Sequence, residues 1–251
     1  SGIWGNATNR SSTGIMDISG GTLSVGVFTN TSTTRGMLEI NANCDFFMSG
    51  GTIVIRRSNN YVDQYYNLST DISVTGGTLQ IGDASTPAGQ TIHLNSSAPI
   101  YNLTVNATNS PIAQLVTNHL TVKNDVTISG GTLDANNLNM NVGRHWTNNG
   151  TFTPGTGTVT FNGVVNQALS GANATTFNHL VLDNATGLSL SGSVNTAVNG
   201  NLTFTTGVLS TGNNKVIIAP SGVVVRTAGH VFGNLQKNVA TGSGITRSFE
   251  V

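Results

Sequence analysis

The side chains in this chain that could carry covalent or metal chemistry are ten acids, five histidines and one cysteine. Glycoside hydrolysis needs two carboxylates facing each other across the scissile bond. The sequence has no Asp-Asp or Asp-x-Asp cluster, and several of its acids sit in turn-like stretches. A pair such as Asp63 and Asp71 would have to converge between neighbouring turns of a repeat, and nothing singles that pair out. Polysaccharide lyase chemistry would need a carboxylate cluster for calcium beside a basic proton acceptor, which is also not visible. His93, His119, His145, His179 and His230 are far apart and lack the His-x-x-x-His spacing of a metal site. His93 and His119 are separated by the length of one apparent repeat, so in a stack of such repeats they would lie over each other as two surface imidazoles. Cys44 is the single cysteine, so it forms no internal disulfide, and beside Asp45-Phe46-Phe47-Met48 it reads as a small buried hydrophobe. The Gly-Gly pairs have no Gly-Lys-Ser/Thr after them and open no helix, so they are not phosphate loops. Asp83 lacks the spaced acidic partners of a calcium loop. The expectation is a protein that is not an enzyme, with no metal site and no cofactor.

Glycan binding is the chemistry these residues suit best. Sugars stack on aromatic faces while amides and guanidinium groups supply hydrogen bonds. Tyr61, Tyr65 and Tyr66 in a polar insertion, and the corner Arg144-His145-Trp146, are the candidate ligand-binding residues. The alternative is structural: Trp146 covers the edge of a repeat and the tyrosines pack the insertion.

Composition narrows the partners. Charged residues are only 8% and the net charge is +0, so the long-range attraction to phosphate that a nucleic-acid binder needs is missing. Arg56-Arg57 is the only adjacent basic pair. No run of eighteen apolar residues offers a membrane span. Ser1-Gly2-Ile3-Trp4 resembles neither a signal peptide nor an obvious tag, which suggests a mature or excised segment.

The elements that would position these residues are short strands. Leu103-Thr104-Val105, Leu120-Thr121-Val122, Val126-Thr127-Ile128 and Leu202-Thr203-Phe204 alternate apolar and polar residues between Gly- or Asn-rich breaks. Apolar residues at helical spacing are not sustained anywhere. One phrase returns: Ser19-Gly20-Gly21-Thr22-Leu23, Ser49-Gly50-Gly51-Thr52-Ile53, Thr75-Gly76-Gly77-Thr78-Leu79 and Ser129-Gly130-Gly131-Thr132-Leu133, with a weaker copy at Thr205-Thr206-Gly207-Val208-Leu209. From one copy to the next the numbering advances by 30, 26, 54 and about 77, and Leu103 and Leu180 head a longer echo with the last of these intervals. Multiples of about 26 predict a right-handed parallel β-helix, a β-solenoid, with coils of about 26 residues, in which the phrase marks a corner and Leu23, Ile53, Leu79, Leu133 and Leu209 point inward. A tandem β-sandwich is the alternative. No linker or charge run divides the chain, so residues 1–251 are expected to form one β-helix domain.

Taken together, the phrases resemble the large repetitive cell-surface and secreted proteins of Bacteroidetes, commonly exported by the type IX secretion system. The resemblance rests on the Ser-Gly-Gly-Thr-Leu turns, Gly76-Gly77-Thr78-Leu79-Gln80-Ile81-Gly82-Asp83 and Gly157-Thr158-Val159-Thr160-Phe161-Asn162-Gly163. It also rests on Asn166-Gln167-Ala168-Leu169-Ser170-Gly171, Thr176-Phe177-Asn178-His179-Leu180, Gly233-Asn234-Leu235-Gln236-Lys237-Asn238-Val239 and Arg247-Ser248-Phe249-Glu250-Val251. Each motif is low in complexity, and none carries a catalytic residue. The resemblance implies an extracellular or cell-surface location and a role as stalk, filament or adhesin segment within a longer chain. It implies as partners other segments or copies of the same surface protein, and surface glycans. The alternative functions are a glycan-binding module and a carbohydrate-active β-helix enzyme.

Overall fold

The computed structural model describes residues 3–4, 14–29, 31–192 and 194–239; the closing phrase at 247–251 lies outside them. All described strand pairs are parallel. That sets aside a β-sandwich, which is built from antiparallel sheets. The chain is a β-solenoid whose coils lay their strands on three faces in turn.

The first face begins with Ile15–Ile18, Asp45–Met48 and Asp71–Val74 and, further along, holds Leu120–Val122, Met140–Val142, Thr158–Phe161, His179–Asp183, Leu202–Thr206 and Val224–Arg226. The second face runs without a break from Thr22–Val25 through Thr52–Ile55, Thr78–Ile81, Asn102–Val105, Val126–Ile128 and Trp146–Asn148 to Gln167–Ser170 and Leu188–Leu190. The third includes Leu38–Ile40, Tyr65–Asn67, Thr91–Ser96, Ile112–Leu115, Thr132–Asp134 and Thr151–Thr153, with Thr175–Phe177 and Thr196–Val198 beyond. In the last two coils one strand turns the corner itself: Val208–Ile218 pairs with Leu188–Leu190 on the second face and with Thr196–Val198 on the third.

Register on the second face gives the true coil length. Leu23, Ile53, Leu79, Leu103, Val126, Trp146 and Leu169 stack in that order, so the numbering advances by 30, 26, 24, 23, 20 and 23 from coil to coil. The following steps are 21, 21 and 22. A coil over most of the solenoid is therefore about 22 residues long, shorter than the repeat of about 26 that the recurring phrase implies. The longer steps come from the loops that follow Val25, Ile55 and Ile81, which widen the first three coils at one corner. The inferred stacking of His93 on His119 goes with the longer repeat: His93 sits over Gln114.

The repeated phrase also divides in two. Leu23, Ile53, Leu79 and Leu209 lie on the second face, but Leu133 lies on the third, between Ala113 and Phe152. All five pack in or against the core as expected. One phrase serves two corners because both impose the same demand. Gly77 has φ +86° and Gly131 φ +62°, and a methyl at either would meet the carbonyl oxygen of the coil before, at 2.7 Å from Gly50 and 2.4 Å from Pro111. Glycine alone tolerates both the dihedral and the approach. The longer echo dissolves in the same way, since Leu103 is on the second face and Leu180 on the first.

Inward Leu, Ile, Val and Phe of all three faces make one continuous cluster along the axis. No single coil could bury these side chains alone, so the stack is the folding unit. Around it, asparagine side chains bind coil to coil. Asn102 donates to the Gly77 carbonyl at 2.9 Å, Asn136 to Leu115 at 3.0 Å, Asn178 to Thr156 at 3.0 Å and Asn214 to Gly192 at 3.1 Å. Asparagine thus supplies these corners with a neutral group that can both donate and accept, where a charged side chain could not do both.

The first face has one gap. Between Asp71–Val74 and Leu120–Val122 the intervening coil offers only a single bridge, Ile100 to Val122. Lys123 reaches back two coils and donates from Nζ to the Val74 carbonyl at 2.7 Å, a charge-assisted bond where a strand neighbour would otherwise stand. Lys123→Met keeps the stem and removes the donor. It is expected to cost about 1 kcal/mol in urea unfolding, while Arg144→Met, which loses only a looser ion pair at 3.7 Å, costs less than half of that.

Candidate functional site

The three long loops stand on one another at the corner between the second and third faces and form a ridge. Arg56 Nε donates to Asp83 Oδ2 at 2.6 Å, tying the second loop to the third. The Ser58 backbone N–H and hydroxyl both donate to Gln90 Oε1, at 2.9 and 3.1 Å. Asn59 Nδ2 donates to the Arg35 carbonyl at 2.6 Å, linking the first loop, and Asn109 Nδ2 donates to Thr86 from the fourth coil at 2.6 Å. Asp83 also accepts the Ser85 N–H in its own turn, which leaves it a structural acid. After the fourth coil the corner shortens to residues 129–131 and 149–150, and the ridge ends.

Its crest is apolar and aromatic. Phe28 is 70% exposed and Val62 62%, with Val27 exposed and Tyr61 half-buried. At its base lies a buried amide network. Gln64 Nε2 donates to Asn59 Oδ1 at 3.0 Å and to the Tyr61 carbonyl at 2.5 Å, and Gln64 Oε1 accepts the His93 N–H at 2.7 Å. Arg57 Nε and His93 Nδ1 are buried with no hydrogen-bond partner. Two buried acids are committed elsewhere: Glu39 accepts from Arg35 at 2.9 Å and from the Gly36 N–H at 2.8 Å, and Asp63 accepts from Asn95 at 3.2 Å. Asp71 is exposed and begins the Asp71–Val74 strand on the first face, while Asp63 is buried ahead of the Tyr65–Asn67 strand, so Asp63 and Asp71 do not form a pair. Among the described residues no group of three or more His, Cys, Asp or Glu is placed to hold a metal ion.

The sequence-derived platform residues separate. Of the tyrosines only Tyr61 reaches the ridge surface; Tyr65 is 1% exposed and Tyr66 is buried on the third face. Trp146 belongs to the core. Its ring meets Phe152 edge-on at 4.8 Å and Phe177 at 5.6 Å, and Phe161 closes the cluster at 6.4 Å. A ring held this way has no face for a sugar. Arg144 is exposed, 3.7 Å from Asp125 Oδ2, and His145 is half-buried. The Tyr61 coil and the Trp146 coil are four steps apart on the second face, roughly 20 Å at the parallel-strand spacing, so they make no common surface. What sequence reasoning missed is Phe28 and Val62. The signal for them was present in the intervals of 30 and 26 between the first three copies of the phrase, which are wide for one coil because these loops are long.

No known family, curated protein or solved structure matches the chain. The geometry therefore stands by itself. The ridge presents Phe28 and Val62 to solvent, while the amides at its base bind each other.

Tyr65 gives this region a measurable signature. Burial pushes its hydroxyl up to about 12, with Asn67 and Ser96 pulling it partly back by hydrogen bonding. A folded state that holds the neutral phenol keeps its full stability below the unfolded value near 10 and loses it as pH rises through the folded one. The loss is expected to reach about 2 kcal/mol by pH 12. Absorbance of tyrosinate should show one phenol ionising only with unfolding, and Tyr65→Phe should remove that part of the alkaline loss.

Proposed function

We propose that this chain is a non-catalytic, extracellular structural or adhesive β-solenoid, acting as a stalk, filament or cell-surface adhesin segment. The observation that carries this reading is the unbroken second face. Its outward positions stack hydroxyl on hydroxyl through Thr104, Thr127, Thr147 and Ser170, over one continuous apolar core. Nine steps of about 4.8 Å make a rod of roughly 45 Å whose second face is lined by neutral hydroxyl side chains. Such a body resists bending and leaves its chemistry to one corner.

The resemblance to large repetitive surface proteins of Bacteroidetes supports export to the cell surface by the type IX route. It also supports partners that are other segments or copies of the same protein. In the last described coil Val224, Val231 and Leu235 are only partly covered and line a groove of about 150 Å³ with Phe204, Arg226 and His230. A further coil set on this end would bury those side chains as each earlier coil buries the one before.

A second reading, a glycan-binding module, is favoured by one observation: Phe28, Tyr61 and Val62 crown the ridge. Incubation with a panel of polysaccharides, measuring both retention on the polymer and new chain ends, separates these readings. No new chain ends are expected, and their appearance would contradict the proposal. Retention lost at least tenfold in Tyr61→Ala and Phe28→Ala would assign the protein to glycan binding at the ridge. Retention indifferent to both leaves the structural role and removes the ridge from it.

A further inference from the structure

Three of the histidines share a place in the hydrogen bonding between coils. On the first face, register aligns Leu120, Met140, Val159, Leu180 and Leu202 in successive coils, so the residues just before them, His119, Asn139, Thr158, His179 and Asn201, also stack. Side chains in this row accept the backbone N–H of the residue in the next coil. Asn139 N–H donates to His119 Nδ1 at 2.9 Å, Thr158 N–H to Asn139 Oδ1 at 2.9 Å, and Asn201 N–H to His179 Nδ1 at 2.9 Å. The second face has a parallel row. His145 N–H donates to Asp125 Oδ1 at 3.0 Å, and Ala168 N–H donates to His145 Nδ1 at 3.0 Å. Gly200 makes room for one of these rings: a methyl there would fall 2.5 Å from His179 Cε1.

We propose that His119, His145 and His179 make the stacking of this solenoid acid-labile, because each holds the next coil through an imidazole nitrogen that accepts only while unprotonated. An imidazolium carries a proton on both nitrogens. Protonation therefore replaces an accepted N–H with two donors facing each other, and a backbone group at the coil junction loses its partner. The amide of Asn139 and the carboxylate of Asp125 do the same job in the same rows, so the positions require an acceptor and not a titrating one. Among the described contacts, charged groups face only one of the three. Asp125 stands beside His145 and is itself 3.7 Å from Arg144, while the hydrogen-bond partners of His119 and His179 are backbone groups of Asn139 and Asn201.

Amide hydrogen exchange, expressed as protection factors to remove the intrinsic pH dependence, tests this directly. Between pH 8 and pH 5 protection at Asn139, Ala168 and Asn201 is expected to fall at least tenfold. Thr158, whose acceptor is an asparagine, stays within twofold. In His179→Asn the Asn201 amide should stop responding while Asn139 still responds, and His119→Asn should do the reverse. Equal loss at all four amides, no loss at any, or a response at Asn201 that persists in His179→Asn would each overturn the proposal. Because each rung is read in a single-site variant against the other rung in the same molecule, a variant that is merely less stable shifts all four amides together and is recognised as such.

Discussion

A parallel strand on the outside of a stack presents a full row of N–H and C=O groups to whatever comes next, and these groups must be answered. In the strands of this protein the following coil answers them with its own backbone. At the corners the strands diverge, and backbone pairing alone does not suffice. There the partners are side chains: Asn102 and Asn178 donating to carbonyls of the preceding coil, and His119, Asn139 and His179 accepting amides of the following one. Lys123 does the same across the gap in the first face. Core burial supplies the drive to stack, but corner chemistry decides which residue stacks on which.

This division explains what was legible in the sequence. Alternation in stretches such as Leu103-Thr104-Val105 reports a half-buried strand directly, and Gly or Asn between such stretches reports a corner, so the solenoid could be inferred. The coil length could not. The clearest repeats, at Gly21, Gly51 and Gly77, fall in the coils that carry the ridge loops, and their spacing measures the loops as well as the coil. Nor does a corner phrase state which corner it is. Gly77 and Gly131 meet the same steric demand at different places, so Ser129-Gly130-Gly131-Thr132-Leu133 reads like its relatives and begins a strand of another face.

The binding residues failed for a related reason. In strands of three or four residues, which side chain faces inward depends on where the strand begins, and a one-residue shift reverses it. Trp146 heads such a strand: with the break placed at Gly143 it reads as a corner aromatic, yet it stacks on Val126 and so points into the core. Tyr65 stacks on Leu38 and Leu94 and is buried for the same reason. Tyr61 precedes the strand in a loop, where no such parity applies, and it alone of the tyrosine and tryptophan candidates reaches the surface. The ridge and the acceptor rows both come from long-range register, which no local pattern contains.

The register itself is therefore the quantity to measure. In a Cys44→Ala background, Thr104→Cys with Thr127→Cys places two thiols directly over each other on stacked strands of the second face, one coil apart. Parallel neighbours about 4.8 Å apart lie within the reach of a disulfide. Thr127→Cys with Thr153→Cys has the separation of the apparent sequence repeat, but the two positions belong to different faces. Mild oxidation followed by non-reducing electrophoresis and peptide mapping should find the disulfide in the first pair and free thiols in the second. A disulfide in the second pair, with the first left reduced, would contradict the stacking described.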